Sequence, residues 1–323
     1  MDMELIVQSQ STGKAYEISQ IASEVSWTTD IEDQPGKLEV EMLASTDVKL
    51  GEGDIVRMRF EGRNMFYGKI FKYKKSKAEE GWSFTAYDNK RYLQNEDTIV
   101  FGSSRSDERF LNICKLTGIP GRVVNRSNFR LPSTIHDATS YYSMLEEALD
   151  HTLVSGGMWY IIRDNFGTLE HIALNSLITN FVIGDQSLAT DFEYESSIDD
   201  SYNLVKLTKD NEETNKREVY IVRDSNLERR WGTLQYHESI SGDLNAAQIK
   251  QMAHNIMNSV KHPKRTLKVE SLGVKEISAG NSVVIQFEGL ADEGYDKPKL
   301  AVVASCTHTW GKTHEMSINL RVV

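Results

Sequence analysis

The 323 residues of the chain include 39% hydrophobic and 26% charged side chains, the composition of an ordinary soluble globular protein with two or three domains. No apolar run approaches the ~20 residues that a membrane-spanning helix needs, and the start Met1-Asp2-Met3-Glu4 lacks the basic region of a signal peptide, so we expect cytoplasmic synthesis without membrane insertion. The net charge of −10 argues against a surface that coats nucleic acid, although DNA could slide past such a protein without sticking.

Residues 1–95 are rich in predicted strands. From Lys37 to Met42, apolar residues alternate with charged ones, which is typical of a strand with one buried and one exposed face. Asp88 is expected to cap a short helix that runs to Leu93. We interpret one basic cluster as a solvated hairpin end, with a functional basic patch as the alternative; it comprises Lys72, Lys74, Lys75 and Lys77. Together these elements predict a first small β-barrel domain over residues 1–95.

Within this domain, the stretch Gly53-Asp54-Ile55-Val56-Arg57-Met58-Arg59-Phe60 joins a turn signal to a strand pattern. Glycine followed by aspartate favours a turn. Val56, Met58 and Phe60 then fall on one face of the strand, because successive side chains alternate between its two sides. Return strands are predicted over residues 65–73 and 82–87.

Residues 96–185 change character and predict an α+β domain. One helix is expected to open at Ser106 or Asp107 and to end at Gly118. A second helix begins near Thr139 and ends at Gly156-Gly157, with an apolar stripe along one side. A hairpin of residues 158–163 and 169–174 follows.

Residues 186–323 return to strands and predict a second barrel domain. A hairpin is expected from residues 202–209 and 217–224. A helix over about residues 243–262, with Asp243 as its cap, is inserted in this region. Strands are then predicted over residues 299–306 and 314–322. The fold class is therefore α+β and predominantly antiparallel β, with two small β-barrel domains, an α+β domain between them and a helix inserted in the second β region.

The opening stretch of the first barrel recurs here as Gly280-Asn281-Ser282-Val283-Val284-Ile285-Gln286-Phe287. The glycine is again followed by an Asp or Asn residue. Val283, Ile285 and Phe287 repeat the spacing of Val56, Met58 and Phe60. Since each copy is followed by two further predicted strands, the chain is expected to contain two related antiparallel β-units.

No catalytic or cofactor motif stands out. The sequence contains no Walker loop, HExxH, CxxC or G-x-S-x-G element, and we predict no cofactor and no catalytic residue. The strongest metal candidates are Cys306, His308 and His314, which a hairpin could bring together as zinc ligands. We interpret the histidines as structural, because neither their spacing nor a fourth ligand is specific. Cys306 and Cys114 are predicted to be buried thiols.

Acidic and aromatic pairs offer two further alternatives. Glu146-Glu147 and Asp199-Asp200 could form the two carboxylates of a glycosidase, but their positions favour solvated surface. Tyr141-Tyr142 and Trp159-Tyr160 could stack on sugars, but both lie in apolar patterns that are typical of a core.

The order of several short motifs resembles the XkdQ/YqbQ proteins of PBSX-type defective prophages, which are related to the late-control D protein and the T-even hub. The matching elements, in chain order, are Gly53-Asp54, Phe66-Tyr67-Gly68-Lys69-Ile70, Ala86-Tyr87-Asp88, Arg91-Tyr92-Leu93, Leu272-Gly273, Thr307-His308-Thr309-Trp310 and His314-Glu315-Met316. The likeness extends over nearly the whole chain, and its order of elements carries it more than any one motif.

This resemblance implies a non-enzymatic baseplate hub of a contractile phage tail or a tailocin, made in the bacterial cytoplasm and built into the particle. It implies a homotrimer of chains with two tail-tube-like barrels each. The six barrels would join a six-fold tail tube to a three-fold central spike, with baseplate wedge proteins as further partners. DNA would at most pass through the lumen without specific binding. The alternatives are a tail-associated peptidoglycan hydrolase and a carbohydrate-binding tail-tip module. Exposed strand edges and the acidic loop over residues 289–298 are the predicted determinants of assembly.

Overall fold

The computed structural model describes residues 2–32, 34–45, 47–76, 81–211, 216–240 and 244–322. The first group of elements consists of strands alone: β1 (Met3–Gln8), β2 (Ala15–Glu17), β3 (Ala22–Asp30), β4 (Lys37–Leu43), β5 (Ile55–Phe60), β6 (Arg63–Lys75) and β7 (Gly81–Tyr87). A short 3-10 helix over Asn89–Gln94 follows. Asp88 caps it by accepting a hydrogen bond from the Lys90 backbone N–H, as the sequence predicts.

Helices and short strands alternate in the next group. It contains β8 (Glu96–Phe101), β9 (Ser104–Arg105), α1 (Ser106–Thr117), β10 (Gly121–Val123), β11 (Arg130–Leu131), β12 (Thr134–Ser140), α2 (Tyr141–Gly156), β13 (Tyr160–Asn165) and β14 (Thr168–Ala173). Helix α2 begins two residues later than expected, because residues up to Ser140 pair with β8 as strand β12. The Ser140 hydroxyl then accepts a hydrogen bond from the Ser143 N–H and opens the helix.

The last group returns mainly to strands. It contains β15 (Ile178–Gly184), β16 (Ala189–Ser197), β17 (Leu204–Asn211), β18 (Lys216–Arg223), α3 (Ser225–Trp231), β19 (Gln235–Ile240), α4 (Ala246–Val260), β20 (Lys264–Leu272), β21 (Ser282–Gln286), β22 (Lys299–Trp310) and β23 (His314–Val322). Two further 3-10 helices span Leu174–Leu177 and Glu288–Glu293.

The inserted helix, α4, lies inside the predicted span, but its cap differs. Asp243 lies outside the described residues, and Asn245 is the residue that caps α4. The Asn245 side chain accepts a hydrogen bond from the Gln248 N–H, and the Gln248 side chain accepts one from the Asn245 N–H. This reciprocal pair satisfies two helix-end donors at once, which a lone aspartate further upstream would not do.

Most strands join one thirteen-stranded sheet that is predominantly antiparallel. Its order is β16-β20-β23-β22-β3-β4-β7-β6-β5-β1-β2, and β15 and β21 pair with each other beside β22. Among the described residues this path ends at β16 and at β2 and does not close on itself. Closure into barrels therefore stays a prediction.

The chain folds into two compact units. Compact unit 1 comprises Met1–Thr152, Met158–Glu193 and Leu267–Val323, and compact unit 2 comprises Leu153–Gly157 and Tyr194–Thr266. In compact unit 2, helix α4 packs on the small sheet β18-β17-β19 through apolar side chains that include Leu207, Ile249 and Ala253. Strand β19 runs parallel to β17, which the hairpin prediction did not include. The division into domains 1–95, 96–185 and 186–323 stays a prediction.

Glu170 on β14 is a carboxylate with no solvent exposure. It accepts hydrogen bonds from Arg163 Nε and Asn165 Nδ2, both at 2.9 Å, and forms an ion pair with Arg122. Burial alone would raise the pKa of Glu170, but the hydrogen bonds from Asn165 and Arg122 and the charge of Arg163 outweigh burial and lower it.

We expect Glu170→Gln to lower the free energy of unfolding by roughly 2 kcal/mol, because it removes a charge that accepts these hydrogen bonds. Since the pKa of the folded state is lowered, this advantage of the wild type is present above the unfolded pKa of about 4.3 and is lost as the pH falls. Urea unfolding of both proteins at several pH values measures this difference in the free energy of unfolding. The control Glu32→Gln removes an exposed ion pair with Arg321 and should cost less than about 1 kcal/mol. Equal losses in the two variants would contradict the prediction.

Candidate functional site

The first motif copy forms a tight turn that opens strand β5. Gly53 has a φ of +84°, a backbone conformation that glycine adopts without strain. Its N–H donates to the Ile70 carbonyl at 2.7 Å, and the Ile70 N–H donates to the Asp54 carbonyl at 2.9 Å. The buried Asp54 carboxylate accepts hydrogen bonds from the N–H groups of Gly51 and Gln10, both at 2.8 Å.

The second motif copy repeats three of these four hydrogen bonds at strand β21. Gly280 has a φ of +89° and donates its N–H to the Val303 carbonyl at 2.8 Å. The Val303 N–H donates to the Asn281 carbonyl at 2.8 Å. The Asn281 side-chain oxygen accepts from the Ser278 N–H at 2.9 Å, three residues before it, as Asp54 accepts from Gly51. The Asn281 amide also donates to the Leu177 carbonyl.

The apolar positions of the two copies are equivalent as well. All six are buried: Val56, Met58, Phe60, Val283, Ile285 and Phe287. The return strands share an irregularity, because β6 has a bulge between Ile70 and Lys72 and β22 has one between Val303 and Ser305. In each strand the bulge directly follows the residue that is bonded to the motif. Ile70 therefore corresponds to Val303.

The same correspondence extends to whole sheets. The strand order β1-β5-β6-β7-β4-β3 at the start of the chain matches β15-β21-β22-β23-β20-β16 at its end, with the strands in the same order along the chain. We call these sets the N-terminal and C-terminal sheet repeats. They differ in their first strand, since β1 is antiparallel to β5 whereas β15 is parallel to β21.

The two sheet repeats are joined along one seam, the antiparallel pairing of β3 with β22. We call this pairing the repeat seam. Its register places Trp27 opposite His308 and Thr28 opposite Thr307. The rings of the first pair stack with centroids 5.6 Å apart, and the hydroxyls of the second pair lie 3.0 Å apart.

Cys306 and His308 of the repeat seam and His314 of the adjacent strand β23 do come together, as the zinc alternative requires. His308 Nε2 lies 2.7 Å from the Ile277 carbonyl and must therefore donate to it. His308 Nδ1 consequently accepts from His314 Nε2 at 2.9 Å. Since both nitrogens of His308 are engaged, it offers no lone pair to a metal. Across the described part of the chain, no group of three His, Cys, Asp or Glu residues could hold a metal ion.

Burial keeps these groups neutral. The pKa of His308 is lowered to about 4, and burial is the largest cause; the hydrogen bond to the Ile277 carbonyl opposes this shift, and the charges of His314 and Arg63 add to it. Burial also lowers the pKa of His314, which Glu61 opposes. Burial raises the pKa of the Cys306 thiol, and it raises the pKa of Cys114 to about 12. Both cysteines are free, buried thiols, as the sequence predicts.

Aromatic rings and a glycine enclose the two histidines. His308 stacks between Trp27 and Trp310, and His314 stacks on Trp310 with centroids 4.8 Å apart. Phe60, the last apolar residue of the first motif copy, contacts His314 edge-on at 5.0 Å. A Cβ atom on Gly273 would overlap the His314 ring. We call these residues the histidine cluster; it links β5 of one sheet repeat to β22 and β23 of the other.

The acidic pairs lie on the surface, and the aromatic pairs belong to the core or pack against it. Glu146 and Glu147 lie exposed on helix α2, and Asp199 and Asp200 lie exposed after strand β16. Tyr142 and Tyr160 are buried in the core, and the preceding residues Tyr141 and Trp159 pack against apolar clusters. Sequence reasoning missed Trp27, Ile277 and the role of Gly273, although the Leu272-Gly273 pair was among the matching elements.

Comparison with known proteins identifies the family. Residues 25–321 match the sequence profile of a family described as YqbQ-like. The chain belongs to the YqbQ-like family. The resemblance to the XkdQ/YqbQ proteins is thereby confirmed.

Two relatives come from Bacillus subtilis strain 168. YqbQ is 29% identical over 84% of this chain and 82% of its own length. The phage-like element PBSX protein XkdQ is 28% identical over 74% of each chain. Among solved structures, the 43 kDa tail protein of prophage MuSo2 from Shewanella oneidensis is 13% identical and covers 98% of both chains, with a TM-score of 0.71. The same fold recurs in a tail protein from Neisseria meningitidis MC58, in prophage tail protein gp18 from Listeria monocytogenes and in a Francisella PdpA-VgrG complex.

In the described ranges, no helix is both long and apolar enough to cross a membrane.

We expect Gly273→Ala to destabilise the protein by roughly 2 kcal/mol, because the added methyl group collides with a His314 ring that is fixed by His308 and Trp310. The control is Gly311→Ala in the β22–β23 hairpin, where an added Cβ meets no atom within 4 Å. Thermal unfolding of both variants measures the difference. A Gly273→Ala variant as stable as Gly311→Ala would contradict the close packing of the histidine cluster.

The neutral state of His308 predicts a pH dependence of stability. Its pKa is lower in the folded protein, about 4, than in the unfolded chain, about 6.5, so the unfolded chain binds the proton more tightly. The stability contribution is complete above pH ~6.5 and is lost as the pH falls towards 4, by at most about 1.4 kcal/mol per pH unit. We expect His308→Gln to flatten this part of the curve of unfolding free energy against pH. Identical slopes in the two proteins would contradict the prediction.

Proposed function

We propose that the protein is the structural baseplate hub of a contractile phage tail or a related tail-like particle, where it adapts the six-fold tail tube to the three-fold central spike. The observation that carries this proposal is the pair of sheet repeats with one strand order in a single chain. The phage tail proteins among its relatives and structural neighbours support the setting.

The symmetry argument follows from the duplication. Three chains with two sheet repeats each present six similar units, which suits a six-fold ring. Because the two repeats of a chain differ in detail, the same ring has three-fold symmetry for a partner that contacts only one kind of repeat. Each repeat would complete a tail-tube-like barrel within this trimer. The middle α+β region over residues 96–185 would be available to the wedge proteins.

The electrostatics suit a channel wall. With a net charge of −10, the protein would repel phosphate and let DNA pass through the lumen without binding it. Its partners would be the tail tube protein, the central spike protein and the wedge proteins, with no cofactor and no catalytic role. The rival hydrolase needs two carboxylates in a cleft, and the acidic pairs that the sequence offered lie on exposed surface.

The acidic loop over residues 289–298 has more structure than an open contact loop. Asp185 accepts hydrogen bonds from the Glu288 and Gly289 N–H groups, and the Phe287 N–H donates to the Tyr295 carbonyl. Tyr295 is fully buried. A deletion of residues 291–296 would thus remove a core side chain as well as the exposed acids. Its role in contacts with a neighbour stays a prediction.

We expect the purified protein to form a trimer of three times the 36.7 kDa chain mass in multi-angle light scattering across a concentration series. The central spike protein, added in a second series, allows for a trimer that needs its partner. In electron micrographs the trimer should show a ring with six similar densities. A monomer at every concentration, with and without the spike protein, would overturn the hub proposal.

A further inference from the structure

The repeat seam has a counterpart, a second strand pairing, that is not formed within the described part of one chain. The seam joins β22 of the C-terminal repeat to β3 of the N-terminal repeat. The strand that corresponds to β22 is β6, and the strand that corresponds to β3 is β16. A pairing of β6 with β16 would therefore repeat the seam.

Both strands have an edge without a strand partner in the described ranges. Beyond Ile70, strand β6 pairs with β7 on one side only, because its pairing with β5 ends at Lys69. In β22 the corresponding stretch, after Val303, is the one that pairs with β3. Strand β16 ends the order of the large sheet and has only β20 beside it. The backbone N–H and C=O groups of a strand edge can pair with another strand.

The register of the missing pairing can be read from the existing one. The Leu43 N–H donates to the Ile21 carbonyl ahead of β3, and the Leu272 N–H donates to the Leu188 carbonyl ahead of β16. If β16 is aligned with β3 so that Leu188 corresponds to Ile21, Glu195 corresponds to Thr28. If β6 is aligned with β22 so that Ile70 corresponds to Val303, Lys74 corresponds to Thr307. Since Thr28 faces Thr307 in the repeat seam, Glu195 would face Lys74.

We propose that β6 of one chain pairs with β16 of a second copy of the chain in this register, as the contact that holds the oligomer together. The proposal rests on the proposed hub function for the closure of the ring at three chains. It deepens that function by naming the strands and the register of the contact.

The charges of the two edges fit this pairing. Lys72 and Lys74 are exposed side chains on one face of β6, and Glu193 and Glu195 are exposed side chains on one face of β16. Opposite charges on directly or diagonally opposed residues stabilise a strand pair, and like charges destabilise it. In the repeat seam, Thr28 and Thr307 occupy the positions that correspond to Glu195 and Lys74, and Trp27 stacks on His308. Two members of the basic cluster noted in the sequence, Lys72 and Lys74, thus lie on the face that this contact would use; the fourth member, Lys77, lies outside the described residues.

The contact is also head-to-tail, as a ring requires. Each chain offers one β6 edge and one β16 edge, so every chain binds two neighbours through different surfaces. Two β6 edges would bring lysines together and are disfavoured. The pairing therefore selects a directional ring over a symmetric dimer.

The first test is cross-linking between differently tagged chains that are co-expressed, one carrying Lys74→Cys and the other Glu195→Cys. Cys114 and Cys306 are buried and give little background. A short bismaleimide should give a cross-linked product with both tags, and neither variant alone should cross-link. The control replaces Glu195→Cys with Asp191→Cys, which lies about 13 Å further along the strand. We expect no product with that pair.

The second test is charge reversal. Lys74→Glu and Glu195→Lys should each move the midpoint of trimer formation to about tenfold higher concentration. The double variant, Lys74→Glu with Glu195→Lys, should restore the wild-type midpoint. Light scattering at low and high salt measures all three, and salt should weaken the wild-type trimer.

The outcomes separate the two proposals. A trimer that gives the tagged cross-link and recovers in the double variant supports the β6–β16 contact. A trimer that gives no cross-link, and whose charge variants assemble as the wild type does, overturns the contact and leaves the hub function standing. A protein that stays monomeric even with the spike protein overturns the hub function and the contact together.

Discussion

The architecture depends on the pairing of β3 with β22, where the backbone of the N-terminal repeat completes the sheet of the C-terminal repeat. A strand edge carries N–H and C=O groups that need partners, and this pairing satisfies them inside the chain. It also fixes the two repeats at a defined register. The stacking of Trp27 on His308 and the contact of Thr28 with Thr307 make a shift of the register costly, since each side chain would change its face or its partner.

The histidine cluster stabilises this pairing, because His308 and Trp27 are directly opposite each other in it. A histidine is an unusual choice for a fully buried position, and His308 is accommodated because it is neutral and both its ring nitrogens are hydrogen-bonded. Trp310 stacks on both histidines, and Gly273 leaves room for the His314 ring. What resembles a zinc site in the sequence is a hydrogen-bonded relay from His314 through His308 to the Ile277 carbonyl. Hydrogen bonds and ring stacking hold His308 in place.

The internal duplication is the basis of the proposed contact between chains. In one chain, the first copy of β3 is paired and its second copy, β16, is left at the end of the sheet. The two seams would differ in chemistry for a physical reason. A contact that forms during folding can bury aromatic and imidazole rings, whereas a contact that forms between finished chains benefits from charges that keep the free edges soluble and steer association.

Local patterns in the amino-acid sequence were enough to establish the strand units and their duplication, because glycine with an Asp or Asn residue marks a turn and alternation marks a strand. They also established that Cys114 and Cys306 are buried thiols. The choice of neighbouring strands, such as β3 with β22, became visible in the folded chain alone, since that pairing joins residues almost the whole chain apart. The correspondence of β16 with β3 also became visible only in the folded chain, because acidic residues interrupt the apolar alternation of β16. The hydrogen bonds of both His308 nitrogens likewise depend on contacts that the sequence does not show. Local pattern specifies the element, whereas long-range contacts specify its partner.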